Sequence, residues 1–333
     1  MNRKSLTILT VLAAALLPFA ACGLARADQN PNPPVVTPKL IFIHHSCGEN
    51  WLSDENGGLG LALRDNNYFV SDTNYGWGPD GIGDNTDIGH WWSWFVGPSS
   101  PAYLAALYAE SSISYEDWAY YTRLETDPGG ENQIIMFKSC YPNSSLMGNP
   151  TDPPTVGDNP LRGQPCWSEH HYIGHAKGIY NDILAYFAGR PDKLFIAVTA
   201  PPQITGNTDP AYAANARAFN NWLVNEWLSG YTLNNVAVFD FFNVLTSNSG
   251  DTYASDVGLE TGNHHRWWNG AVQHVQTVDY NYAAYPSDAW DDHPNYVGNQ
   301  KATAEFVPLL NVMYNCWQGT GDCPPLAAVP AGQ

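Results

Sequence analysis

Three polar segments of this chain contain residue types that together can transfer an acyl group. Ser46 lies in the segment 44–50 (HHSCGEN), Asn143 lies in a turn that begins at Pro142, and His293 follows two aspartates. A serine nucleophile needs a base that takes its proton, a carboxylate that orients the base, and donors that stabilise the oxyanion. The three segments supply these groups. Each segment alone is also typical of a polar turn, in which serine and asparagine side chains bond to nearby backbone.

The apolar runs around these segments predict the elements that would position them. Five runs rich in apolar and β-branched residues are expected to be strands: Lys39–His44, Tyr68–Ser71, Gln133–Lys138, Lys193–Thr199 and Asn235–Phe241. Helices are expected at Gly58–Asn66, Pro101–Glu110, Tyr172–Ala188, Asp209–Gly230 and Asn299–Tyr314. This alternation predicts a mostly parallel sheet covered by helices on both faces, in one α/β domain over residues 38–315 with long aromatic-rich loops. The site of such a sheet lies beyond the C-terminal ends of its strands, where Ser46 and Asn143 stand.

The order and spacing of the three segments resemble the SGNH/GDSL hydrolase superfamily over most of the chain. The resemblance implies a flavodoxin-like three-layer α/β/α sandwich with a five-stranded sheet. It also implies that Ser46 is the nucleophile, that His293 is the base, and that the Ser46 N–H and the Asn143 amide hold the oxyanion. A further glycine donor should follow the second strand, within 74–78, and Gly76 is our choice there.

The chain also departs from the superfamily pattern. His44 and His45 replace the usual Gly-Asp before the serine, and Tyr141-Pro142-Asn143-Ser144 replaces Gly-x-Asn-Asp. Trp290 stands three residues before His293, where the superfamily has its aspartate. We choose Asp291 over Asp292 as the acid, because alternate residues of an extended turn can point the same way.

Clusters of aromatic residues predict the type of substrate. Flat tryptophan faces suit sugar rings, and polar neighbours suit sugar hydroxyls. The sequence thus favours a short-chain acyl ester, acetyl above all, on a carbohydrate or another small ester. Five residues are expected to bind it: His45, Trp77, Trp92, His265 and Trp267. The alternative for most of the tryptophans is that they pack long loops onto the domain.

Composition excludes some classes of function. The 333 residues carry a formal net charge of -18 without a Lys/Arg cluster, which argues against binding nucleic acid. After the N-terminus no segment has the length of apolar sequence that a membrane span needs. No cofactor is expected.

Two alternatives to the esterase remain open. A non-catalytic carbohydrate-binding protein on the same fold would explain the unusual first segment. A metal-dependent glycan-active enzyme could use the histidines at 44, 45, 90, 264 and 265, although no pair of them has the spacing of a known zinc motif.

The N-terminus predicts export. Residues 1–27 have a basic start, an apolar stretch and an Ala-Arg-Ala cleavage site, which together are typical of a signal peptide. A secreted or periplasmic protein is therefore expected, and a lipoprotein anchored through Cys22 is the alternative. Residues 28–37 are expected to be an extended linker.

An exported chain permits disulfides. Cys316 and Cys323 bracket a short Gly-rich turn in the tail, residues 316–333, and are expected to pair. Cys47 and Cys140 follow two strands that would be neighbours. They are expected either to form a disulfide on the floor of the site or to remain buried thiols.

Overall fold

A computed structural model describes residues 28–114, 120–259, 264–275 and 280–324. The predicted signal peptide, residues 1–27, lies outside this range. The described residues form the strands β1 (Lys39–Ile43), β2 (Phe69–Thr73), β3 (Ile134–Lys138), β4 (Leu194–Val198), β5 (Val236–Phe239), β6 (His264–Trp268) and β7 (Ala271–Val275). They also form the helices α1 (Ser46–Leu52), α2 (Leu59–Asp65), α3 (His90–Phe95), α4 (Ser100–Ala109), α5 (Ile173–Ala188), α6 (Pro210–Asn225), α7 (Phe241–Leu245) and α8 (Tyr296–Trp317).

The first five strands form a single all-parallel sheet in the order β2-β1-β3-β4-β5. The predicted α/β sandwich with a five-stranded sheet is thereby confirmed, and the sheet is fully rather than mostly parallel. From β1 the chain continues to β2 on one side of β1 and then crosses to β3 on the other side. The order of the strands therefore reverses direction at β1. The crevice beyond the C-terminal ends of strands at such a switch point is where sheets of this type bind ligands.

The continuous apolar runs of the strands are explained by burial on both faces. Alternate strand residues face two separate cores, one lined by α3, α4, α5 and α6 and the other by α1, α2, α7 and α8. In β1, for example, Ile41 and Ile43 face the first core, whereas Leu40 and Phe42 face the second. This packing fixes the strand ends from which the polar segments emerge.

Several details differ from the sequence-based expectations, and the short helices α1, α3 and α7 were not expected. Helix α6 ends at Asn225 rather than at Gly230. The expected loop before the last helix contains the antiparallel hairpin of β6 and β7. Helix α8 begins three residues earlier than expected and continues through Pro308 to Trp317.

Both ends of the domain are attached to α8. Residues 28–37 contain no helix or strand, as expected of an extended segment. They nevertheless lie against α8, where the Asn315 amide donates to the carbonyl oxygens of Asn30 and Asn32. The predicted pairing of Cys316 with Cys323 is present, with an S–S distance of 2.08 Å. Within the described part of the chain, no helix has the length and apolar character required to cross a membrane.

Candidate active site

Ser46, His293 and Asp291 form a continuous hydrogen-bonded chain. The Ser46 Oγ lies 2.8 Å from His293 Nε2, and His293 Nδ1 lies 2.6 Å from Asp291 Oδ1. Hydrogen on Nδ1 leaves Nε2 free to accept the serine proton, which is the tautomer a general base requires. The side chains of His293 and Asp291 are 22% and 41% exposed, so the chain of groups opens to solvent.

The turn after β1 holds Ser46 at the first position of α1. The His45 carbonyl accepts hydrogen bonds from the N–H groups of Gly48 and Glu49, which begins the helix. A side chain at residue 48 would place its Cβ 2.3 Å from the Cβ of His44, so this tight turn requires glycine. His44 itself is buried and held by Asp72, at 3.1 Å. His44, which departs from the superfamily pattern, thus fixes the turn that holds Ser46.

The loop before α8 distinguishes the two candidate aspartates. The Asp291 carboxylate accepts from both the backbone N–H and the ring N–H of His293. Asp292 points the other way, where it accepts from the Ile204 N–H and the Asn207 amide. Burial raises the pKa of Asp291, but the hydrogen bonds from His293 outweigh this and lower it below its ordinary value. Asp291 is therefore the carboxylate that bonds to His293 in the series Ser46–His293–Asp291, and Asp292 fixes the loop before α8.

Asn143 lies near the site but its amide is already bonded. Its Nδ2 donates to Asp87 at 2.6 Å and more weakly to the Cys140 carbonyl at 3.3 Å. Its Oδ1 accepts from the Ile88 N–H, and the residue is 1% exposed. The expectation that this amide faces an oxyanion is not met in this arrangement, because Asp87, from a loop distant in sequence, holds it.

Gly76 is likewise bonded elsewhere. It has a φ of +69°, and its N–H donates to Asp84 Oδ1 at 2.7 Å. The expected role of this N–H as an oxyanion donor is therefore not met either. Of the three expected donors, only the Ser46 N–H has no carboxylate or carbonyl acceptor among the contacts described.

His45, an expected substrate-binding residue, directly precedes Ser46 in the sequence. Its Nε2 lies 2.7 Å from the Gly83 carbonyl oxygen, and its ring stacks on Tyr75 with centroids 4.0 Å apart. Burial lowers its pKa. A neutral ring that donates from Nε2 fits this contact.

Trp77 and Trp92, two further expected substrate-binding residues, pack within the domain. Trp77 stacks on Trp94, and its N–H donates to Glu110. Trp92 packs against the core beneath Arg162. Both rings hold the loop 72–97 on the sheet, and a role for them in substrate binding stays a prediction.

His265 and Trp267 lie on the β6–β7 hairpin. His265 is 4% exposed and accepts the Asp240 N–H at 3.0 Å. Trp267 is half-buried on the same strand. The strand attaches to α8 and to α7 rather than to the nucleophile turn. The His265 ring is thus buried in the packing of the hairpin, and a role for these two residues in substrate binding stays a prediction.

Three aromatic residues at the site were missed by sequence reasoning. Tyr75 stacks on His45 and is 45% exposed. Tyr141 meets the His293 ring edge-on at 5.0 Å. Trp290 is 86% exposed beside Asp291. The positions of Tyr141 and Trp290 next to the predicted catalytic segments were the available signal.

Cys47 and Cys140 lie beneath the nucleophile. Their sulfurs are 3.2 Å apart and not bonded, and the Cys140 Sγ is 3.8 Å from the Ser46 Oγ. The expected proximity is thus present, in the form of two thiols. Burial raises the pKa of Cys47, whereas the hydrogen bond shared with Cys47 lowers the pKa of Cys140.

The histidines expected in the metal-dependent alternative are engaged in other contacts. His44 bonds to Asp72, and His264 bonds to Glu305. In the described ranges, no group of three or more His, Cys, Asp or Glu side chains is arranged to hold a metal ion.

No protein-family model matches the chain, and no curated protein or solved structure is significantly similar to it. The functional argument therefore depends on the geometry of the site and on the chemistry of its residues.

Proposed function

We propose that this chain is a serine esterase that hydrolyses short-chain acyl esters, with Ser46 as its nucleophile. The observation that carries the proposal is the Ser46–His293–Asp291 chain, with distances of 2.8 and 2.6 Å, at the switch point of a parallel sheet. Aligned contacts of this kind between a nucleophile, a base and an orienting carboxylate are the geometric signature of activated serines.

The reaction follows from these contacts in two halves. The Ser46 Oγ attacks the ester carbonyl carbon while its proton moves to His293 Nε2. Collapse of the tetrahedral intermediate expels the alcohol, which takes that proton, and leaves an acyl group on Ser46. A water molecule activated by His293 then attacks the acyl group, releases the carboxylic acid and restores the serine. Asp291 stays ionised and stabilises the imidazolium in each half.

The substrate class is part of the same proposal. Tyr75 and Trp290 are exposed, and the partly buried Tyr141 meets the His293 ring edge-on. Aromatic faces of this kind suit a sugar ring. We therefore favour an acetylated carbohydrate. The signal-peptide pattern of residues 1–27 supports a secreted or periplasmic location, where such glycans are accessible.

Hydrolysis of 4-nitrophenyl esters tests the activity. The mature protein should turn over the acetate faster than longer acyl chains. Ser46→Ala and His293→Ala should each lose at least three orders of magnitude in kcat while unfolding at the wild-type temperature. Ser229→Ala, in the turn that follows α6, is the matched serine control and should retain the wild-type rate. Equal rates for wild type and Ser46→Ala would reject the proposal.

A second candidate is favoured by the bonded states of Asn143 and Gly76. With these donors held by Asp87 and Asp84, the fold could serve as a non-catalytic carbohydrate-binding protein. Acetylated glycan binding by calorimetry, unchanged in Ser46→Ala and unaccompanied by acetate release, would support this candidate. Acetate release that depends on Ser46 would exclude it.

A further inference from the structure

The His293 ring is held by contacts from two different parts of the fold. Asp291 bonds to Nδ1 at 2.6 Å, but it precedes His293 by two residues on the same loop. The other contacts come from residues that follow β1 and β3. The Ser46 Oγ lies 2.8 Å from Nε2, and the Tyr141 ring meets the imidazole with centroids 5.0 Å apart and an interplanar angle of 79°.

The position of Tyr141 is fixed independently of the His293 loop. Tyr141 is the first residue of a short 3-10 helix that follows β3 and ends at Ser144. The Asn143 amide donates to Asp87 at 2.6 Å, and the Ser144 hydroxyl donates to the Pro201 carbonyl at 2.8 Å. The bond that keeps the Asn143 amide from an oxyanion thus holds the turn that presents Tyr141 to the base.

One of the contacts to the His293 ring must be lost during the proposed reaction. In the free protein the Ser46 hydroxyl donates to Nε2. Once Ser46 carries the acyl group, its Oγ is an ester oxygen and has no hydrogen to donate. The χ2 torsion of a histidine has a broad energy minimum, so the orientation of the ring depends on its contacts. Among the described residues, Tyr141 is then the ring contact that still connects His293 to the strand ends.

We propose that Tyr141 is a positioning residue that holds the His293 imidazole while water attacks the acyl group on Ser46. The proposal rests on the proposed esterase function. In this step the water oxygen bonds to the acyl carbon, and one water proton moves to His293 Nε2. Collapse of the intermediate breaks the ester bond to the Ser46 Oγ, which takes that proton. Tyr141 exchanges no proton and forms no bond, and its ring limits rotation of the imidazole away from the acyl carbon.

Ring packing suits this task better than a further hydrogen bond. Both nitrogens of His293 are already bonded, to Ser46 and to Asp291. An edge-on arrangement is one that aromatic rings prefer, and it needs neither nitrogen. The contact therefore stays the same while the proton on Nε2 comes and goes.

A single-turnover experiment with 4-nitrophenyl acetate and excess protein separates the two halves of the reaction. Release of nitrophenolate measures formation of the acyl-enzyme, and intact-protein mass spectrometry of quenched samples measures its decay. Tyr141→Ala should slow the decay at least about tenfold, because a misplaced base is costly. Formation, in which Ser46 still orients the ring, should slow less than about threefold. Tyr141→Phe keeps the ring and should retain both wild-type rates.

Two further variants complete the design. Tyr141→Leu has a side chain closer in size to tyrosine, and it should show the same difference between decay and formation if the alanine variant does not fold. Tyr172→Ala is the matched control, because Tyr172 also meets a histidine edge-on, His175, with centroids 5.6 Å apart. Tyr172 lies outside the segments that carry the triad, and both rates should equal those of the wild type.

The outcomes distinguish this proposal from the esterase function. Wild-type decay in the leucine variant, or decay and formation slowed by the same factor, would overturn the role of Tyr141. If Ser46→Ala were inactive in that case, the esterase function would stand. A wild-type protein that forms no acyl-enzyme and hydrolyses no ester would overturn both proposals.

Discussion

The Cys140 sulfur lies between the Cys47 sulfur, at 3.2 Å, and the hydroxyl of Ser46, the proposed nucleophile, at 3.8 Å. The contact arises because β1 and β3 are neighbours and each cysteine follows the end of its strand. The hydrogen bond with Cys47 lowers the pKa of Cys140, and the buried ammonium of Lys138 acts in the same direction. Cys140 is therefore the more acidic thiol of the pair, at a position where any added group meets the serine.

Alkylation should inactivate the protein through Cys140. Because the thiolate is the reactive form, iodoacetamide should modify Cys140 faster than Cys47, whose pKa burial raises. The bulky adduct would then occupy the space next to the Ser46 Oγ. We expect loss of most esterase activity in step with modification of Cys140, followed by peptide mass spectrometry.

Single substitutions provide the control for this prediction. Cys140→Ser should protect the activity from iodoacetamide. Cys166→Ser should not, because burial and the negative charge of the nearby Asp87 raise the pKa of the Cys166 thiol. Inactivation that proceeds unchanged in Cys140→Ser would show that another group is the target.

The two neighbouring aspartates should give opposite phenotypes. Asp291→Asn removes the negative charge that orients His293 and stabilises its protonated form. It should lower kcat by two to four orders of magnitude, with the melting temperature nearly unchanged. The two carboxylate oxygens of Asp292 accept hydrogen bonds from the Ile204 N–H and from the Asn207 amide. Asp292→Asn leaves only one oxygen that can accept. It should cost about 1–3 kcal/mol in the free energy of unfolding, with a smaller effect on kcat. Steady-state kinetics and urea denaturation of both variants would check this, and the reverse pattern would contradict our choice of Asp291.

The structure brings Ser46, His293 and Asp291 together, as the sequence analysis expects, because local features place each of them. Strand ends locate Ser46, and the distance of two residues lets Asp291 contact both the ring and the backbone N–H of His293. Asn143 and Gly76 were predicted less well, because their partners Asp87 and Asp84 come from a loop whose path depends on tertiary packing. The same holds for Trp77, whose ring is fixed by Trp94 and Glu110. Residue types thus predict a chemistry, whereas the hydrogen-bond partners of each expected donor are set only in the folded chain.

Buried histidines should make the protein sensitive to mild acid. Burial lowers the pKa of His265 to about 3 and those of His171 and His274 to about 4. In the unfolded chain these rings have pKa values near 6.5, so the unfolded state binds more protons as the pH falls below that value. The contribution of these neutral buried rings to the free energy of unfolding is complete above about pH 6.5. It is lost progressively as the pH falls to the pKa values of the folded state, at about 1.4 kcal/mol per pH unit for each ring.

A histidine variant isolates one part of this dependence. His265→Gln should be less stable than the wild type at pH 8, because the buried contact with the Asp240 N–H is altered. Between pH 6 and 4, however, its free energy of unfolding should fall less steeply than that of the wild type. The difference in slope should be the contribution of one histidine ring, about 1.4 kcal/mol per pH unit. His170→Gln, at a partly exposed ring, is the control. Urea denaturation across this pH range measures the slopes, and equal slopes for wild type and His265→Gln would contradict the assignment.

Trp290 should contribute to substrate binding without contributing to stability. Its side chain is 86% exposed, and its backbone is fixed because its N–H donates to Asp288 at 2.7 Å. A large apolar ring held in water beside Asp291 loses little when the protein unfolds but can stack on a bound sugar. Trp290→Ala should therefore unfold at the wild-type temperature and raise KM for an acetylated oligosaccharide about tenfold, a loss of about 1.4 kcal/mol in binding. KM for 4-nitrophenyl acetate, which has no sugar ring, should change much less.

Trp167→Ala removes another exposed tryptophan, 81% exposed and outside the His293 loop, and should leave both values unchanged. Equal KM values for the oligosaccharide in wild type and Trp290→Ala would exclude this ring from the substrate site.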